Sequence, residues 1–449
     1  MPVKAVRIHG ANDLRLDTFE LPPIKDDEIL VKVVSDSICM SSYKCAILGT
    51  KHKRVHPDVA EHPAIVGHEF AGDIIEVGSK YTSRFKPGMK FTIQPALNYK
   101  GEMWSPGYSY EFCGGDATYC ILPHEVMELD CLLEYKGDAY FEASLAEPMS
   151  CCIGAFHACF HTQMGVYAHE MGIKKGGKLA LLAAAGPMGL GALMYAVHCD
   201  RRPSLIVLTD IDEKRIARAK KIFPEAEMKK LGVQVEIINT NDSTDPVGRL
   251  KRYAPEGFDD VFCFAPVASV LTLSSAVLGR DGCLNFFAGP TDPSFSAMYN
   301  FYNVHYESHH VVGTSGGNTD DIKESLHMMA KGELNPITMI THVGGLDQVS
   351  ETESLRMTEE GKLEPAVMVT HIGGLASAVQ TTLELPKIPG GKKLIYTHLD
   401  LPLTAIEDFR SLGEGDSRFG QLADIVDAHK GLWNAEAEKY LLANWNNER

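Results

Sequence analysis

Between residues 178 and 289 the chain repeats one pattern, a short unbroken apolar run followed by a helix-like stretch. "KLALLAAA" leads into a Gly-rich helical segment, "LIVLTDID" into "EKRIARAKKIF", and "DDVFCFAP" into "VASVLTLSSAVL", before a last run, "CLNFFAG". Strands that are apolar on both sides cannot leave one face in water; they belong in a parallel sheet covered by helices above and below. The pattern therefore predicts a doubly wound α/β unit.

The first of these runs needs a separate test, because Leu179 to Val197 is uncharged and about long enough to cross a bilayer. Pro187, set among Gly186, Gly189 and Gly191, breaks one continuous helix and suits a buried strand, a tight turn and a second helix. In that turn lies Ala184-x-Gly186-x-x-Gly189, with Pro187 and Met188 between the glycines. Small residues there let the backbone approach a pyrophosphate at a helix N-terminus, where unpaired N–H groups favour anions. The next apolar run ends at Asp210, 24 residues after Gly186. An acid at that place accepts hydrogen bonds from a ribose diol and repels a 2′-phosphate, which predicts NAD(H) rather than NADP(H). Asp210 and Asp212 can equally cap the helix that follows.

A chain of 449 residues is too long for one ordinary core, so two domains are expected. A net charge of −16 argues against nucleic acid or an anionic membrane as the main partner. The opening "MPVKAVRIHG" has no charged start followed by an apolar run, so the expected location is the cytoplasm. Eleven cysteines, odd in number and irregularly spaced, fit reduced thiols and metal ligands better than a disulfide framework.

The first hundred residues read as a mostly β, partly closed sheet, with runs such as "EILVKVVSDSI", "GDIIEVGS" and "GMKFTIQPA" between Pro, Gly and Asp. Within them His68 and Glu69 stand side by side among strand-like apolar residues, costly to desolvate without a partner such as a metal ion. Cys39, in "DSICMSSYK", and Glu147, in "LAEPMSCC", are the other candidate ligands; a thiolate, an imidazole and a carboxylate form a donor set suited to zinc.

Taken together, Cys39 with a hydroxyl two places on, Gly67-His68-Glu69 followed by "GDIIEVGSKYTSRFKPGMKF", Glu147-Pro148, the glycine loop, and Asp210 with Arg215 resemble the zinc-dependent medium-chain dehydrogenase/reductase family. Glu147-Pro148 in place of a third thiolate is similar to the polyol dehydrogenases, and "GTSGG" with the long insertion to the sugar-phosphate members. The resemblance implies a β-rich GroES-like catalytic domain (1–155) with an inserted doubly wound Rossmann domain (156–315), and a C-terminal part (316–449) returning to the first. It implies that Cys39 and His68 bind zinc, and that Glu69 and Glu147 either complete the shell or hold the water on the metal. Ser41 relays the substrate proton, and Gly186, Pro187, Met188, Gly189, Asp210 and Arg215 bind the dinucleotide. The implied reaction is hydride transfer between NAD(H) and a secondary alcohol or ketone of a sugar or polyol, in a homo-oligomer. A zinc-free reductase of the same fold and a non-catalytic nucleotide-binding protein are the rival readings.

Three departures from the family pattern matter. The region 95–116 holds a single cysteine, Cys113, so no structural zinc is expected there and one zinc in all. Lys44 stands where many members carry a histidine that passes the proton to solvent, and Ala184 replaces the first glycine, which is tolerable unless its φ is positive. The run "KHKRVH", with Lys51, Lys53 and Arg54, reads as a solvated loop or, with Lys44, as a holder of a substrate phosphate. Finally, residues 324–346 and 353–375 match at 13 of 23 positions; this is a local duplication or a paired binding element, and its His342 and His371 are not nominated as ligands.

Overall fold

The computed structural model describes residues 1–163, 165–241, 243–345, 375–388 and 390–445. The chain divides into two compact units, one formed by 1–147 with 340–449 and the other by 148–339. The second is longer at both ends than the expected 156–315. At its far end the cause is packing: Met328, Leu334 and Met339 are buried in the same apolar cluster as Leu190 and Leu193 of the glycine-loop helix.

In the unit 148–339, six strands form one sheet in the order Gln234–Asn239, Leu205–Asp210, Lys178–Leu182, Phe258–Cys263, Leu278–Phe286, His310–Val312. All five pairings are parallel. Two separate buried apolar clusters, one containing Leu179, Leu181 and Ile206 and the other Ala180, Leu182 and Val207, take alternate residues of the same strands. Successive side chains point to opposite faces of a strand, so both faces are covered, as unbroken apolar runs require. The α/β fold class and the doubly wound sheet are as the sequence pattern predicts.

In the other unit, strand Ile29–Ile38 is central. It pairs antiparallel with Phe70–Val77 on one side and with Lys392–Tyr396 on the other. Registers place Asp36 opposite Phe70 and Ile38 opposite Lys393. One end of the central strand thus brings together positions 39, 69 and 392, which are far apart in sequence. Buried Glu438 ties the C-terminal helix Ala435–Asn444 to this unit: its carboxylate accepts from the N–H groups of Tyr140 (2.7 Å) and Phe141 (2.9 Å) and from the Tyr396 hydroxyl (2.7 Å). Those two N–H groups open the helix Tyr140–Ala158, where an acid offsets the unpaired donors and the helix dipole. Burial nevertheless pushes the Glu438 carboxyl up to about 7.

Of the duplicated segments, the first copy contributes helix Thr319–Ala330 and strand Ile340–Gly345. The second, with His371, lies almost wholly outside the described residues. No helix among the described residues is long and apolar enough to cross a membrane.

Candidate active site

Cys39 follows the central strand directly and caps helix Met40–Leu48 in extended geometry (φ −111°, ψ 151°). His68 and Glu69 precede the neighbouring strand. Gly67 has φ +88°, and a Cβ there would stand 2.5 Å from Asp36 Oδ2 and 2.6 Å from the Asp116 nitrogen, so only glycine permits the turn that aims His68. The Glu69 N–H donates to Asp36 Oδ1 (3.1 Å), which locks the turn to the central strand.

The outcome is that one donor atom each from Cys39, His68 and Glu69 lies within 4.8 Å of the others. His68 and Glu69 are buried, and Cys39 is half-buried. Glu147 is buried too, on the long helix Tyr140–Ala158 rather than in a loop; Pro148 sits inside that helix. Burial raises the Glu147 carboxyl to about 7, with His68 pulling the other way. Burial lowers His68 and raises the Cys39 thiol, so both are biased towards their neutral forms. A divalent cation reverses that bias for the thiol and accepts the imidazole lone pair. The sulfur, nitrogen and oxygen donors present fit zinc. Ser41 Oγ is 3.6 Å from Cys39 Sγ, which places the hydroxyl at the cluster's edge.

Sequence reasoning missed Lys392. Its ammonium is buried and bonded to both oxygens of Glu69, at 2.6 Å to Oε2. Burial opposes its charge, but Glu69 and Cys39 hold it above the usual lysine range. The only local sign is a charged pair, Lys392-Lys393, opening an apolar strand. Sequence reasoning also missed Tyr108 and Ser42, which flank the His68 ring: the Tyr108 hydroxyl is 3.1 Å from Nε2 and Ser42 Oγ is 3.4 Å from Nδ1.

Of the basic residues, Arg54 is buried and committed. It donates to Ser105 Oγ (2.9 Å) and covers the Tyr108 ring at 5.5 Å. Lys44 is half-buried and Lys53 exposed. His52, stacked on Tyr108 at 5.6 Å, is held down at about 4 by burial and by the charges of Arg54, Lys53 and Lys44. Arg54 is thus the cation placed on the Tyr108 ring beside His68, while Lys44 and Lys53 act on His52 through their charge.

In the other unit, Gly186 caps the helix Pro187–Ala196, with Pro187 at its first turn. A Cβ at Gly186 would meet nothing within 4 Å, whereas one at Gly189 would stand 2.0 Å from the Ala184 carbonyl oxygen. Gly189 thus lets helix and strand close up, and Gly186, with Met188 next in line after Pro187, borders open space at the helix N-terminus. The left-handed residue of the loop is Ala183 (φ 56°), one place before Ala184, which has no positive φ. Asp212, not Asp210, caps the next helix, accepting from Lys214 and Arg215 N–H groups at 2.9 and 3.1 Å. Asp210 instead accepts the Ala185 N–H at 3.0 Å and those of Ile211 and Asp212. Its carboxylate is therefore fixed against the glycine loop. Arg215 Nε lies 3.9 Å from Asp212.

Comparison with known proteins agrees with this layout. Residues 25–130 match the alcohol dehydrogenase GroES-like domain and 187–331 the zinc-binding dehydrogenase domain. The chain is 51% identical to mannitol-1-phosphate 5-dehydrogenase of Aliivibrio fischeri, over 98% of this chain and 97% of that one. It is 44% identical to L-sorbose 1-phosphate reductase of Klebsiella pneumoniae, over 98% and 97%. Among solved structures, 2R,3R-butanediol dehydrogenase of Bacillus subtilis shares the fold, with a TM-score of 0.65 and 20% identity over 88% of this chain and 99% of that one. With the GroES-like and parallel-sheet portions both matched, and near-full-length relatives at this identity, the chain belongs to the zinc-dependent medium-chain dehydrogenase/reductase family and is an oxidoreductase.

Proposed function

We propose that the protein interconverts a secondary alcohol and a ketone on a sugar phosphate, using NAD(H) and one zinc ion held by Cys39 and His68 with Glu69 and Glu147. The observation that carries this reading is the convergence of Cys39, His68 and Glu69 at the end of the central strand. The substrate class is supported by the two relatives named for mannitol 1-phosphate and L-sorbose 1-phosphate.

Zinc bound there supplies Lewis-acid polarisation of the substrate oxygen. The remaining work falls to the chain. Ser41 carries the proton to or from that oxygen, for which it must come within about 3 Å. Lys392 balances the Glu69 carboxylate and so fixes how much negative charge faces the substrate. Lys44 and Lys53 hold the phosphate, with Arg54 keeping Tyr108 against His68 instead of touching the ligand. At the other site, Gly186, Pro187, Met188 and Gly189 receive the pyrophosphate, Arg215 lines the adenosine side, and Asp210 meets the ribose diol and repels a 2′-phosphate.

An assay of nicotinamide absorbance with free and phosphorylated ketoses and polyols tests the reading. Expected are turnover of the 1-phosphates, loss of turnover with chelator, and a preference for NAD over NADP of about 100-fold, or ~2.7 kcal/mol. Lys44→Ala and Lys53→Ala should each raise KM for the ester about tenfold, equivalent to ~1.4 kcal/mol, and leave the free sugar unaffected. Equal turnover of ester and free sugar, or equal effects of the variants on both, removes the phosphate from the proposal.

Ser41→Ala gives a separate check. It should lower kcat about 100-fold, the lower end for a lost proton carrier, without lowering zinc content. A variant that loses zinc in parallel with kcat would make Ser41 a support of the metal site instead.

A further inference from the structure

The unit 148–339 contains a second gathering of metal-type donors, to which neither the fold nor the proposed reaction assigns a role. Cys159, Asp260 and Cys283 each offer a donor atom within 4.8 Å of the others, and all three are buried. They come from three elements. Cys159 ends the long helix and leads into strand Phe160–Gln163, while Asp260 and Cys283 face each other across two parallel central strands.

Buried cysteines commonly act as small apolar residues, and Cys159 and Cys283 do belong to an apolar cluster. Asp260 is a different case, since a carboxylate inside a parallel sheet is costly without compensation, and here it finds its partners in the Lys174 N–H and the His161 ring beside the two sulfurs. The neighbours are arranged as outer partners of a metal site. The Lys174 N–H donates to Asp260 Oδ2 at 2.8 Å. Asn285 Nδ2 donates to the Ala155 carbonyl oxygen at 2.9 Å and lies 3.8 Å from Cys159 Sγ, which leaves its second N–H to face the sulfur. His161, also buried, has Nδ1 3.0 Å from the Asp281 carbonyl oxygen and Nε2 3.1 Å from Asp260 Oδ1. Both of those atoms are acceptors. The protonated ring satisfies both at once; burial opposes its charge, but Asp260 holds it up at about 8. A zinc ion taken between Nε2 and the carboxylate would replace that proton.

We infer that Cys159, Cys283, Asp260 and His161 bind a structural zinc ion in this unit, with His161 turning Nε2 from the carboxylate to the metal. Four protein donors without an open position mark a structural rather than a catalytic zinc site; two cysteines and a histidine are its common members, and a carboxylate oxygen also binds zinc. The expectation of a single zinc came from the missing cysteine loop at 95–116; these donors, scattered over more than 120 positions, form no such loop. The inference does not rest on the substrate or cofactor assigned above.

The test is metal stoichiometry on the full-length purified protein. Two zinc ions per chain are expected in the wild type, one in Cys39→Ser/His68→Ala, and one in Cys159→Ala/Cys283→Ala. Cobalt gives a readout that does not depend on the last variant folding. Cobalt-loaded Cys39→Ser protein should still show thiolate-to-cobalt absorption, because its sulfur ligands would be Cys159 and Cys283, and Asp260→Asn added to it should weaken that absorption. One zinc in the wild type with none in Cys39→Ser/His68→Ala overturns the inference. So does cobalt-loaded Cys39→Ser without sulfur absorption, or a Cys159–Cys283 disulfide in protein purified under reducing conditions.

Discussion

Changing His68 to alanine is expected to abolish turnover, lowering kcat at least 1,000-fold, and to remove one zinc equivalent per chain while the protein stays folded. Loss of a rate factor of that size corresponds to about 4 kcal/mol of transition-state stabilisation, in line with removing a Lewis acid from a reaction that must polarise a carbonyl or alcohol oxygen. The ring is held on both sides, by Tyr108 at Nε2 and Ser42 at Nδ1; one nitrogen would exchange its contact for the metal while the other keeps the ring in place. Cys39→Ser should behave similarly, since a hydroxyl is a poor substitute for a thiolate ligand. Elemental analysis and the absorbance assay on the same preparation check both halves. A His68→Ala protein with full zinc and kcat within tenfold of wild type would place the reaction elsewhere.

The second large effect is expected on stability. Lys392→Met keeps the length of the side chain but, in the metal-free protein, leaves the Glu69 carboxylate buried without its partner, and breaking a buried pair from one side costs roughly 3–5 kcal/mol. Replacing both, as Lys392→Met/Glu69→Gln, should recover most of that loss, because the penalty comes from the stranded charge more than from the missing bond. Denaturant midpoints of the wild type, both single variants and the double variant form the required cycle. A single-variant loss below about 1 kcal/mol, or a double variant no better than Lys392→Met, would show that the pair is not what compensates the buried Glu69 carboxylate.

Much of the architecture is legible in the sequence because it follows from local periodicity. Apolar runs such as "KLALL" and "LIVLTD" must be covered on both faces, and the strands they form are. The glycine loop is legible for the same reason: Gly189 is required by a close approach between residues only five apart. Cys39, His68 and Glu69 are recognisable from their chemistry and short local motifs. Lys392 is not, because its partner is 323 residues away and a lysine pair before a strand looks like a solvated strand end. Arg54 shows the opposite error. In sequence it belongs to a basic run, but the structure turns it inward onto Ser105 and Tyr108. Asp210 and Asp212 were equivalent as capping residues by composition; only the backbone geometry assigns the cap to Asp212. The packing of Met328, Leu334 and Met339 with the glycine-loop helix is likewise a tertiary feature that leaves no mark in composition.

The central strand carries Cys39 at its end with Glu69 on one flank and Lys392 on the other, and this imposes an order on biosynthesis. A nascent chain acquires the thiol, the imidazole and the acid while the ribosome is still hundreds of codons from the lysine that neutralises that acid. Until residue 392 emerges, one side of the strand lacks its hydrogen-bonding neighbour and Glu69 lacks its buried cation, so the pair cannot close before that strand has been made.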